Sequence, residues 1–316
     1  MIKANYVVSR PVRAALALLA LALAPPSSPA PNARAQGGAP AKPSAVVFAV
    51  ESSGGEVTID PILGVGPRGR IVGAGGEGDD DALKRFAADY FAAGRKYRLI
   101  FGGGDAGAVT VKSAKAGGEC FRTGALVGAQ TTANLGGNVM ALATDSGTLG
   151  KRTTSRREPT AAERAGVEKL ARTLLARRRL TPAQLRGLRT INLTATDLDG
   201  DGTAELAGTF LVNRGAASAE QLFLLAESKG GRYSAAIANH HPLRAADLPD
   251  PALVGEAGKG GFLSEILLDQ LDLDGDGTGE LFTFGRSLEG VRYRIYKRTA
   301  GRWRRLEEFY VYRCAY

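Results

Sequence analysis

Apolar positions recur with two different periods along this chain. An eleven-residue apolar run, Ala14 to Ala24, comes first. Residues Ala45 to Leu63 then carry β-type side chains (Val46, Val47, Phe48, Val50, Val57, Ile59) and are expected to be extended. Asp79 to Asp81 next open a helix with Leu83, Phe86, Ala87 and Tyr90 on one face and Gly94 just past its end, since acidic residues suit a helix N-terminus. Strand patterns follow at Tyr97–Phe101, Ala108–Lys112, Phe121–Val127 and Asn138–Ala143, so residues 45–150 read as an α+β region whose strand pairing the pattern leaves open. The polar run Lys151 to Pro159 is the best linker candidate. Thr160-x-x-Glu163 then forms a capping box for a helix with Val167, Leu170, Ala171, Leu174 and Leu175 inward. Thr181-Pro-Ala-Gln184 repeats the start signal for a short helix to about Leu188, which completes a linker-and-helix stretch over 151–189.

From residue 190 the period is two, and it repeats. Ile191, Leu193 and Ala195 alternate into an acidic loop, Glu205 to Val212 leaves it, Gln221 to Ala226 forms a third strand, and Gly230-Gly231 turns into a fourth at Ser234–Ala238. The second unit keeps this order: Phe262–Leu268, a second acidic loop, Glu280–Gly285, Val291–Tyr296, then Gly301 turning into Leu306–Arg313. The matching order argues for a duplicated four-strand meander, with units at 190–240 and 262–316. The fold class expected is therefore a β-rich α+β protein.

The two loops, Asp197-Leu-Asp-Gly-Asp-Gly-Thr-Ala-Glu205 and Asp272-Leu-Asp-Gly-Asp-Gly-Thr-Gly-Glu280, start 75 residues apart. Carboxylates at every second position around glycines are how a hard cation collects oxygen ligands, so two calcium ions are expected. An EF-hand needs a bidentate Glu at the twelfth position and flanking helices, but that position is Gly208 or Thr283 among β-type residues. Dockerin-type loops also run into helices, whereas Leu206 to Val212 and Leu281 to Phe284 favour strands. An Asp/Gly turn without metal is the remaining alternative.

On these residues both units resemble the calcium-binding blades of integrin-alpha-type β-propellers (FG-GAP and VCBS-like repeats) and related repeats of exported bacterial proteins. Carried over by position, the resemblance implies ligands from Asp197, Asp199, Asp201 and Glu205 with the Thr203 carbonyl, and from Asp272, Asp274, Asp276 and Glu280 with the Thr278 carbonyl. Glu at the ninth position replaces the commoner Asp, and the Gly-Ala-Pro that follows many such loops is absent. Two blades are too few to close a propeller, so either residues 45–150 supply degenerate blades or the units form an open assembly with helices packed on it.

Lys3, Arg10 and Arg13 before the apolar run, and Ala33-Arg-Ala35 after it, make residues 1–35 a secretory signal peptide, with 36–44 a Gly/Pro/Ala leader. A membrane span needs about 20 apolar residues, so a soluble exported product, secreted or periplasmic, is expected. Cleavage removes four basic residues and no acidic ones, which takes the formal charge from +9 to +5. The densest basic stretch, Arg177 to Arg179 with Arg152, Arg156 and Arg157 upstream, is interleaved with Glu158, Glu163 and Glu168 and reads as a solvated helix face, so nucleic acid is not an expected partner. Cys120 and Cys314 are expected to pair in an oxidising compartment, the alternative being two buried thiols.

Catalytic signals are sparse. His240 and His241 precede Pro242 and are expected in an exposed turn, with metal binding or base chemistry as the alternative. Gly102-x-Gly104-x-x-Gly107 matches a dinucleotide fingerprint, but Ala108 to Lys112 after it has β composition, so a hairpin turn is expected. No nucleophile elbow, zinc helix or phosphate loop occurs. The expected function is binding of a protein or carbohydrate ligand on a scaffold with structural calcium, and the alternative is an extracytoplasmic hydrolase with no local signature.

Overall fold

The computed structural model describes residues 43–73, 80–115, 123–215, 218–245, 263–287 and 290–312. The signal segment and both cysteines lie outside them. Strand β1 (Ala45–Ser53) opens with an unbroken apolar run, Ala45 to Val50, because that stretch is buried on both faces. It forms a hairpin with β2 (Glu56–Val65) through Gly54 and Gly55, both at positive φ, which a side chain would resist. After β3 (Ile71–Val72) and helix α1 (Asp80–Tyr90) come β4 (Lys96–Phe101), β5 (Gly104–Ala114), β6 (Ala125–Thr131) and β7 (Ala141–Thr144).

These strands close on themselves. The ladder runs β1, β7, β4, β5, β6, β2 and returns through the β1–β2 hairpin, every pair antiparallel, with β3 as a spur on β2. The α+β region is thus a six-stranded barrel, and closure leaves its six members no free edge. Val46, Phe48 and Val50 join Tyr97, Leu99, Val109 and Val127 in one core cluster, into which α1 packs Phe86 and Tyr90. Phe48 and Tyr97 meet at a ring separation of 4.8 Å. Gly102 and Gly103, both at positive φ, make the β4–β5 hairpin, and strand β5 rather than a helix follows, as expected.

The described residues between 189 and 312 form two four-stranded antiparallel meanders. The first is β8 (Arg189–Thr196), β9 (Glu205–Gly215), β10 (Ser218–Lys229) and β11 (Arg232–Arg244); the second is β12 (Leu263–Leu271), β13 (Glu280–Ser287), β14 (Gly290–Thr299) and β15 (Arg302–Tyr312). Alternation along their strands places one set of side chains on each face, and each face has a partner. Ile266, Leu268, Phe282, Phe284, Tyr293 and Ile295 pack on the outer side of β1 and β7, against Val47, Ala49 and Leu142. Leu267, Leu281 and Tyr296 meet Ala207, Phe223 and Leu225 between the two sheets. Leu206, Phe210, Leu222 and Leu224 cluster with Val167, Ala171 and Leu175 of α2 (Ala161–Ala176), and Leu185 of α3 (Pro182–Arg186) packs beside them. The order of layers is barrel, second meander, first meander, helices. A fully buried Phe or Leu at these junctions contributes roughly 1.5–3 kcal/mol.

Both helices begin as expected. Thr160 and Thr181 accept from the amides of Glu163 and Gln184, whose side chains reach back to the cap amides. The segment 151–159 is held at several points, by bridges from Arg152 to Gly104 and from Arg157 to Ala195. Arg156, expected on a solvated face, is buried instead: its side chain is 3% exposed and sits 3.7 Å from the equally buried Asp269. Its guanidinium donates to the carbonyls of Met140 and Leu268 and stacks over Phe101. Asp269 also accepts from the amides of Gly102 and Gln270. Burial raises its carboxyl well above the ordinary range, against the pull of Arg156 and these amides.

Candidate functional site

Each acidic loop joins the first two strands of its meander, and both loops fold in the same way. Asp197 accepts from the amides of Gly200 (2.6 Å) and Gly202 (3.0 Å), and Asp272 from those of Gly275 (2.7 Å) and Gly277 (3.0 Å). All four glycines have positive φ, which lets the loop curl around its first carboxylate. The amides of Thr203 and Thr278 bond Asp201 Oδ1 and Asp276 Oδ1 at 2.6 and 2.8 Å. Leu198 and Leu273 anchor the loops in the core. The ninth-position Glu explains its own departure from the resembled pattern: Glu205 and Glu280 reach back to accept from the Leu198 and Leu273 amides, both at 2.8 Å.

Carboxylates converge in each loop, but not the same ones. Asp197, Asp199 and Glu205 each bring an oxygen within 4.8 Å of the others in the first, and Asp272, Asp274 and Asp276 do so in the second. Asp201 and Glu280 stand outside these triads. Two oxygens on opposite sides of a calcium ion are about 4.8 Å apart, so both triads suit a hard divalent cation. Burial pushes the Glu205 carboxyl up to about 7, opposed by the Leu198 amide and reinforced by Asp199 and Asp197. Among the described residues no basic side chain is ion-paired with Glu205.

Neighbouring residues of β14 approach the two loops, and the sequence reading missed both. Lys297 Nζ lies 3.0 Å from Asp274, 2.9 Å from Asp276 and 2.6 Å from Glu280. Burial acts to lower the Lys297 pKa, but hydrogen bonds to these three carboxylates outweigh it and hold it above the ordinary lysine range. Arg298 crosses to the first meander, 2.6 Å from Asp199 and 3.6 Å from Glu227. The loops also touch each other, the Gly279 amide donating to the Leu198 carbonyl at 2.7 Å. Gln270 ties the first loop to β12 through Thr196 Oγ1 (2.6 Å) and the Asp197 carbonyl (3.1 Å).

A second polar cluster lies between the meanders. Glu265 of β12 is fully buried and accepts from Tyr296 (2.7 Å) and Thr283 (2.9 Å) on one oxygen and from Asn239 (3.0 Å) on the other. His241 Nε2 lies 2.9 Å from that second oxygen, and Arg294 is 3.6 Å from it. Burial would raise the Glu265 carboxyl, but the His241 bond, the Arg294 charge and the Tyr296 hydroxyl together hold it below the ordinary range. The two histidines therefore lie inside strand β11, not in an exposed turn. Pro242 is tolerated after them because β11 is the edge of its sheet. His240 instead stands 3.5 Å from Glu220, and burial lowers its pKa against the Glu220 charge. The one legible signal for this cluster is a carboxylate, Glu265, directly before the apolar run Ile266 to Leu268.

Among the described residues no helix is long and apolar enough to cross a membrane. The chain is a β-rich protein with two acidic clusters whose geometry could hold metal ions. No protein-family model, curated protein or solved structure matches it.

Proposed function

We propose that this chain is an exported protein in which calcium stabilises two blade-like β repeats, and that the repeats serve as a scaffold for binding a protein or carbohydrate ligand. The observation that carries the metal half is the convergence of Asp197, Asp199 and Glu205 within 4.8 Å across a strand-to-strand turn. Without a cation their repulsion opposes that turn, and a ligand that binds only the folded form stabilises it by mass action. Oxygen donors alone fit calcium better than a transition metal, since neither loop offers nitrogen or sulfur. The ions would organise the ends of the strands that each loop joins. Export follows from the N-terminal segment 1–35, and mass spectrometry of the processed N-terminus from the extracytoplasmic fraction tests it.

The binding half rests on the cleft beside Glu265, where fixed polar side chains from both meanders converge. The enzyme reading draws on the same place, because a buried carboxylate orienting His241 is an arrangement suited to acid–base chemistry. A calcium titration of thermal unfolding tests the scaffold: an unchanged melting temperature up to about 10 mM calcium, above the range for extracellular modules, would reject it. Turnover of a hydrolase substrate panel, lost in His241→Ala, would move the assignment to the enzyme.

A further inference from the structure

We infer that the groove between β11 and β14 is a binding site for an acidic saccharide. The inference rests on the binding half of the proposed function and names its ligand class; it is independent of the calcium loops. Two clefts of about 580 and 330 Å3 share His241 and Arg294 as walls. Arg292, Arg294 and Arg305 line them and share a single counter-ion, Glu308, while Glu265 is the only carboxylate among the described lining residues, so three guanidiniums face two carboxylates. An anionic group is therefore the preferred occupant.

The groups that would meet this anion are fixed in advance. Arg294 is 8% exposed, and its Nε is held by Glu308 at 2.7 Å while its Nη1 donates to the Ser264 carbonyl at 3.1 Å. His241 Nε2 donates to Glu265, which leaves Nδ1 of the neutral ring to accept from a ligand hydroxyl. Orientation settled before binding reduces the entropy that binding costs.

The rest of the wall favours a sugar over a bare oxyanion. Asn239 turns its amide nitrogen inward to Glu265 (3.0 Å) and the Tyr296 hydroxyl (2.8 Å), which leaves its carbonyl oxygen to accept from a ligand hydroxyl. Trp303 lines the larger cleft with its indole held by Glu227 at 2.9 Å, so an aromatic surface stands beside the cations. A sugar ring has an apolar C–H face for such a surface, hydroxyls for the amide, and a carboxylate or sulfate for the arginines. Clefts of this volume accommodate ligands much larger than one inorganic anion.

The test is calorimetric titration of the processed chain, in calcium, with trigalacturonate, a sulfated disaccharide, neutral trigalactose, inorganic sulfate and inorganic phosphate. Trigalacturonate or the sulfated sugar is expected to bind. Loss of one charge-assisted contact in Arg305→Gln should weaken that binding roughly tenfold or more, loss of the ring acceptor in His241→Gln should weaken it less, and the neutral sugar should bind correspondingly less well than the acidic ones. Arg305 is 55% exposed, so its variant keeps the fold if His241→Gln does not. Silence with both acidic sugars, equal binding of trigalactose, binding confined to the inorganic anions, or affinity unchanged in Arg305→Gln would each overturn the inference. Calcium stabilisation without sugar binding removes this inference alone, and sugar binding without calcium stabilisation removes the scaffold alone.

Discussion

The ammonium of Lys297 lies 2.6 Å from the carboxylate of Glu280 and occupies the space between that residue, Asp274 and Asp276. Strand register shows that this is particular to the second repeat. Leu281 pairs with Tyr296 and Leu206 with Ala226, so the residue matching Lys297 in the first repeat is Glu227. In the second loop an ammonium sits among three carboxylates, whereas in the first Arg298 pairs with Asp199 alone and a further acid, Glu227, stands beside that guanidinium. The first loop is expected to bind calcium more tightly, because calcium there competes with one Arg298 contact at Asp199, whereas in the second it must displace an ammonium bonded to three carboxylates. Lys297→Met should raise the affinity of the second loop by roughly tenfold or more, as expected when a unit charge about 4 Å away is removed. Calorimetry on wild type and variant reads this directly, and identical isotherms would refute it.

Calcium removal should be felt through Glu205. In the metal-free fold its carboxyl sits at about 7 against an ordinary 4.5. A carboxyl raised on folding contributes stability while protonated, so the contribution is present below about 4.5 and is lost as pH climbs through about 7. That loss amounts to at most about 3 kcal/mol. In EGTA the wild type should therefore lose stability between about pH 5 and pH 8 by this route, and Glu205→Gln should not. Saturating calcium should restore about 1–3 kcal/mol at pH 8. Urea unfolding at each pH measures both effects.

Glu163 makes the opposite pH contribution. A bidentate bond from Arg157 at 2.7 and 2.8 Å, with the Thr160 amide at 2.7 Å, holds its carboxyl down to about 2 against an ordinary 4.5. A carboxyl lowered on folding contributes stability above the unfolded value and loses it as pH falls through about 2. Because Arg157 is half exposed, solvent screening limits the contribution to about 1–2 kcal/mol. Glu163→Gln should be less stable than wild type at pH 7 and nearly equal to it near pH 2.

Asp269 stands 3.7 Å from a guanidinium that is almost wholly buried. Asp269→Ala would leave Arg156 buried and uncompensated between the barrel and the second meander, at a cost of about 3–5 kcal/mol. Replacing both residues together with apolar side chains should cost less than the single change. A double-mutant cycle by urea denaturation checks this, and additive effects would sink it.

Local chemistry was legible in the residues themselves. Thr160-x-x-Glu163 and Thr181-x-x-Gln184 carry their caps within one turn, Gly102-Gly103 and Gly230-Gly231 carry their hairpins, and the loop carboxylates lie within nine positions of one another. Such features depend on backbone sterics and short-range hydrogen bonds, so a period of two or a capping pair suffices to reveal them. Alternation likewise marked each four-strand unit, because neighbouring strands in a meander are neighbours in sequence. Closure of the barrel was hidden, since β1 pairs with β7 across almost a hundred residues and nothing local encodes that partner. The same holds for Arg156 with Asp269, for His241 with Glu265, and for the approach of Lys297 to the second loop. Each needs sheets to stack in a particular order before the charges meet. In a strand pattern, a basic residue opposite a carboxylate and one facing solvent look alike, and only packing between layers distinguishes them.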